Sequence, residues 1–140
     1  MSKGNTLRNE WLKLYFTGTP IPGLADNAAV SPCTQHTLAL HTSDPGAGGS
    51  QSTYETAYAG YLRKIIQRNT AGWTVSGNSV SPSIEIEFDL CSTDPGPPIT
   101  HWSVSRGSGL IDYSGPLVTP LVMVAGVSPR LTTLSTIQEL

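Results

Sequence analysis

At 140 residues the chain suits one domain that can bury a core without covalent staples. Net charge is −2 and the 8 basic residues are scattered, so no Lys/Arg stripe can follow a phosphate backbone. No apolar run approaches the ~20 residues of a membrane helix. Charged residues make up only 13%, against about 25% in ordinary globular chains; 16 Ser, 16 Thr, 14 Gly and 11 Pro take their place. That is the composition of many strands joined by tight turns. Arg8, Asn9, Glu10 and Lys13 interrupt the place where a signal peptide carries its apolar core. Synthesis in a cytoplasm is expected, with Cys33 and Cys91 as reduced thiols.

In chain order, residues 5–16 (NTLRNEWLKLYF) predict a helix. Leu7, Trp11, Leu14 and Tyr15 fall on one face, Asn5 or Thr6 caps the start, and Gly18 and Pro20 stop it. This face either packs on its own domain or docks on a partner, since Trp and Tyr are favoured anchors. Residues 17–35 read as an extended connection. Period-two alternation then begins. His36 to Thr42 predicts a strand, and Tyr58 to Arg68 a further one. Ser83 to Leu90 is the clearest: Ile84, Ile86, Phe88 and Leu90 point one way and Glu85, Glu87 and Asp89 the other. Ile99 to Arg106 alternates too, and shorter strands are predicted at 73–76, 79–82, 110–114, 117–125 and 130–137.

Turn chemistry links them. Asp44-Pro45-Gly46 and Asp94-Pro95-Gly96 each place Asp first, Pro second and Gly third, the order a β-turn asks for. Gly77-Asn78 reads as a hairpin tip. With no crossover helices, the prediction is all-β: an antiparallel β-sandwich or jelly roll of about eight or nine strands. The expected organisation is a helix or arm with its connection over residues 1–35, and the sandwich over 36–140.

Catalytic chemistry finds little support. His36 and His41 are five apart and face opposite sides of a strand. Cys33-x-x-His36 has metal-like spacing, but no second pair matches it. His41 is expected at the surface, opposite Leu38 and Leu40. No nucleophile elbow, phosphate loop or His-Glu-x-x-His occurs. Glu85, Glu87 and Asp89 read as a solvated face. No enzyme, metal or cofactor is expected. The segment from Pro116 onward holds no acid until Glu139 and is hard to bury, and only three lysines are present to guard sheet edges. Leu131, Leu134 and Ile137 therefore join Leu7, Trp11, Leu14 and Tyr15 as candidate interface residues.

The blocks LHTSDPG, GGSQSTYE, YAGYLRK, AGWTVSGNSVS and ITHWSVSRGSG, over roughly residues 36–118, resemble small virion structural proteins of tailed bacteriophages. Length and pattern look nearest to the head cement (decoration) proteins of short-tailed Bordetella phages. The resemblance implies a jelly roll working as a homodimer on the outer surface of an icosahedral head. There it would bridge major capsid protein subunits, with no direct nucleic-acid or membrane contact. It carries over Asp44-Pro45-Gly46, Gly72-Trp73 and Gly77-Asn78 as scaffold. Some relatives carry tail-fibre labels, so a tail or fibre role with glycan or host binding is the alternative; Trp73 and Trp102 are then the candidates for its exposed aromatics, the other reading of each being core.

Overall fold

A computed structural model of the chain describes residues 5–21, 33–93, 96–107 and 109–138, with Asn5 and Leu7 described by their backbone alone. The fold is all-β and antiparallel, of the sandwich class, with 42% of residues in strands and one short N-terminal helix. Two compact units emerge, each visited by several passes of the chain. The described residues within 1–34, 67–85 and 132–140 form one, and those within 35–66 and 86–131 the other.

In the first unit, α1 (Asn5–Leu12) runs into a π-helical turn, Lys13–Thr17, closed by Gly18 in the left-handed region. The buried residues are Leu12 and Phe16, both 0% exposed, and Trp11 is 44% exposed. The Leu7, Trp11, Leu14 and Tyr15 stripe, expected either to pack on the domain or to dock on a partner, is not the inward face: Leu12 and Phe16, four apart, are. Phe16 meets Trp73 edge-on at 4.5 Å. Trp73 opens β3 (Trp73–Ser76), which pairs with β4 (Ser79–Pro82) in the register Trp73↔Pro82 to Ser76↔Ser79. Gly77 has φ +61° at the first central position of the turn, the requirement of a type II′ hairpin. The Asn9 amide donates to the Gly77 carbonyl, and the Arg68 guanidinium donates to the carbonyls of Leu14, Tyr15 and Cys33. A cation there satisfies helix carbonyls that lack intrahelical partners.

In the second unit, β1 (Gln35–His41), β2 (Lys64–Gln67), β6 (Gly96–Ser105) and β7 (Tyr113–Met123) form a sheet in the order β2-β1-β6-β7. The β1–β6 register runs from Thr37↔Ser105 to His41↔His101. Leu38, Ala39, Leu40, Ile99 and Val104 are all at most 1% exposed, as expected of central strands. Two short ladders complete the strands. β5 (Ile86–Glu87) pairs with β8 (Arg130–Leu131), and in the first unit β9 (Ile137–Gln138) adds to β4.

Strand extents differ from the sequence reading where a partner is missing. Of the predicted 83–90 strand, the ladder holds Ile86–Glu87 with one further bond, from the Phe88 N–H to the Pro129 carbonyl at 2.8 Å, and Ile84 and Leu90 are 63% and 55% exposed. Alternation marks a surface that fits a sheet, but the ladder needs a neighbour, and β8 offers only two residues. Of the predicted strand over Tyr58 to Arg68, only its end forms β2. Gly60 breaks it, with φ +103° and an added Cβ only 2.4 Å from the Leu90 carbonyl oxygen. No side chain fits there.

Candidate functional site

The stretch around His41 gathers the chain's polar chemistry, and it is sealed. His41 is 0% exposed rather than at the surface. The Ser103 hydroxyl and His41 Nε2 lie 2.7 Å apart, and His41 Nδ1 lies 2.9 Å from the Thr53 carbonyl. A carbonyl can only accept, so Nδ1 carries the proton of the neutral ring and Ser103 donates to Nε2. The spacing is that of a nucleophile and its base. Ser103 is nevertheless 0% exposed as well. Burial holds the His41 pKa below its ordinary value, against the Thr53 hydrogen bond and the nearby Glu55 charge.

This network closes the side of β1 that the four-residue β2 leaves uncovered. Gln51 Nε2 donates to the Thr37 carbonyl at 2.8 Å, Thr56 N–H to the Leu40 carbonyl at 2.9 Å, and Leu40 N–H to the Tyr61 hydroxyl at 3.1 Å. Glu55 receives Arg63 Nε at 2.6 Å, Arg63 Nη2 at 2.7 Å and the Tyr61 hydroxyl at 3.0 Å. Burial pushes the Glu55 pKa up, but the bonds from Arg63 and Tyr61 outweigh it and hold the carboxyl below its usual range. Burial also raises Tyr61, and the bond to Glu55 raises Arg63. The opening of this loop is a turn: Gly46 N–H donates to Asp44 Oδ1 at 2.9 Å. Asp44, Pro45 and Gly46 are corner residues, as are Gly77 and Asn78. Asp94 and Pro95 lie outside the described residues, and Gly96 is the first residue of β6, opposite Met123, rather than the end of a turn.

The carboxylates expected on one strand face do not form a group. Asp89 pairs with Lys64 at 2.9 Å and Glu87 with Arg130 at 3.3 Å. His36 is 0% exposed, and His101 Nδ1 meets the Thr100 hydroxyl at 2.9 Å. Both cysteines are free thiols. Among the described residues no three His, Cys, Asp or Glu side chains gather, and no helix is long and apolar enough to cross a membrane.

The surface has the opposite character. β7 is an edge strand, and Ile99↔Leu121 is followed by His101↔Pro116. Thr100 alone on β6 thus faces four residues, Leu117 to Pro120, on β7. This bulge pushes Val118 fully into solvent (101% exposed), with Val122 at 67% beyond it. Pro116 and Pro120 are exposed on the same strand. Proline has no N–H to offer a neighbouring chain, and a bulge breaks strand pairing. The edge expected to be poorly guarded for want of lysine is therefore guarded by two prolines and a bulge. Its aliphatic side chains remain displayed.

Of the candidate interface residues, Leu134 is 83% exposed, Trp11 is 44% exposed, and Leu14, Tyr15 and Ile137 are half-buried. Leu131 is instead core, 1% exposed and paired with Ile86. The Leu7 side chain lies outside the described residues. Trp73 and Trp102, the aromatics expected of a glycan site, are 1% and 4% exposed and cannot stack on a sugar face. Sequence reasoning missed Val118 and Val122 as displayed residues. The signal was present in the two prolines that bracket and guard the bulge.

The scaffold buries His36 and His41 and displays Val118 and Val122. The chain belongs to the family described as podophage GP4 fiber I protein gp80, whose model matches residues 2–135. It is a podophage virion structural protein. No curated protein matches it. The family match carries the phage and virion part of the sequence expectation, but names a fibre protein and not a Bordetella head cement protein.

Proposed function

We propose that the chain is a structural component of the podophage tail-fibre apparatus, holding neighbouring virion proteins by side-chain contact and catalysing no reaction. The family match over residues 2–135 carries this reading. Two features of the fold support it. Val118 and Val122 stand out from a strand whose backbone edge is blocked, which suits burial of apolar side chains against a partner rather than strand addition. The Ser103–His41 pair is shut from solvent, so its hydroxyl serves β1 and not a substrate.

The partners are then other virion proteins, a second copy of the chain included, and no membrane or nucleic acid. The head-clamp role, a dimer bridging major capsid subunits on the head surface, stands behind the fibre role because the matching family is defined by a fibre protein. A reconstruction of the purified particle tests the choice. Density for this fold at the tail supports the fibre role; the same density on capsid seams overturns it.

A further inference from the structure

A groove of about 260 Å³ lies in the first unit between the π-helical turn and β3. Its lining includes Lys13, Thr17, Thr19, Thr70 and Thr74 around Trp73. We infer that this groove binds a small polyhydroxylated anion of the uronic-acid sugar class.

The inference follows from counting hydroxyl protons, since each threonine or serine has one. Thr17 donates its proton to the Lys13 carbonyl at 2.7 Å, so in the 2.8 Å contact between Thr17 and Thr19 the donor is Thr19. Ser83 donates to the Thr70 carbonyl at 3.0 Å, so in the 2.9 Å contact between Thr74 and Ser83 the donor is Thr74. Thr17, Thr19 and Thr74 have thus committed their protons within the protein. They offer the groove lone pairs only, and a matching ligand must bring O–H or N–H donors. The Lys13 ammonium has no ion-pair or hydrogen-bond partner among the described residues, and neither has the Thr70 hydroxyl. These two groups supply donors for a carboxylate.

A ligand with several hydroxyls and one negative charge meets both halves. A neutral sugar can accept from Lys13 but leaves its charge unpaired. An acidic peptide side chain, which only accepts, leaves the three threonine oxygens unmatched. The volume sits just under the ~300–1,000 Å³ of drug-sized sites, which suits a single ring. Half the wall is fixed before binding: the Lys13 carbonyl also accepts from Gly18 N–H and from Thr19 N–H at 3.1 Å, locking Thr17 and Thr19 in place.

This inference deepens the fibre reading and rests on it only for where such a sugar would be met. Galacturonate titrated into the full chain, followed by backbone amide chemical shifts, is the test; galactose, acetate and an acidic tetrapeptide serve as comparisons. Saturable shifts confined to residues 13–19 and 70–75 are expected with galacturonate, and binding at least about fivefold weaker for each comparison ligand. Lys13→Gln should weaken galacturonate binding about fivefold and lose its salt dependence. Thr19→Val with Thr74→Val should weaken it about tenfold, with melting temperature within a few degrees of the parent. Absence of saturable shifts, equal affinity for acetate or the tetrapeptide, or an unaffected Lys13→Gln variant overturns the inference. Because the isolated chain is used, failure here leaves the virion location untouched, and a head location leaves the groove untouched.

Discussion

Two regions of the second unit invert the usual rule of polar outside and apolar inside. Around β1, His41, Gln51, Ser103 and Ser105 are 0% exposed. On β7, Val118 and Val122 face solvent. Each of these four side chains has a hydrogen-bond partner, and Gln51 and His41 tie β1 to the loop beside it. The aliphatic exterior is covered by nothing among the described residues. On the proposed fibre role, the first region makes the scaffold and the second makes the contact. Substitutions in the two should therefore separate cleanly into losses of stability and losses of assembly.

The largest effect is expected at Gly60, on the loop that covers β1. Gly60→Ala meets both a left-handed φ and the Leu90 carbonyl, and should cost about 3 kcal/mol or more in urea denaturation. A smaller loss would show that the loop yields there. Next, Arg63→Met removes two of the three donors of the Glu55 carboxylate, leaving the Tyr61 hydroxyl, and should cost about 2 kcal/mol by the same measurement. A neutral result would reassign the pair from support of β1 to surface decoration.

How much of this was legible in the sequence depends on how local the cause is. The β3–β4 hairpin has the predicted bounds, because Gly77-Asn78 and short-range alternation decide it within ten residues. The Asp44 corner was legible for the same reason. The burial of His41 was not: it depends on Gln51, Thr53, Tyr61 and Ser103 arriving from elsewhere, and alternation alone placed the ring in solvent. The strand over 83–90 failed for the converse reason, since its pattern was ideal and its partner short. The helix face shifted to Leu12 and Phe16 because they meet the first unit's own core at Trp73. A low lysine count predicts poorly guarded sheet edges, but at β7 Pro116 and Pro120 guard the edge without charge.

The pH dependence sharpens the comparison further. The folded His41 pKa lies below the ordinary 6.5, so the unfolded chain takes up the proton first. Its contribution is fully present above pH 6.5 and falls as pH drops from there toward the folded value. Glu55, also lowered, adds a second loss below its ordinary 4.5. Melting temperature should therefore decline from pH 6.5 downward, and His41→Asn should flatten the upper part of that decline. An identical slope in the variant would remove His41 from the account. The groups facing the ring are Glu55, Arg63 and His101, so the profile should be read with all three intact.

The smallest stability effect and the most direct test coincide at β7. The double variant Val118→Asp, Val122→Asp should keep its unfolding free energy within about 0.5 kcal/mol of the parent, because both side chains are already in water. Phage grown with it should yield particles that lack this chain, scored by quantitative protein gel of purified virions. Incorporation at the parental copy number, from a variant that folds normally, would contradict the claim that the displayed β7 aliphatics are what the virion holds.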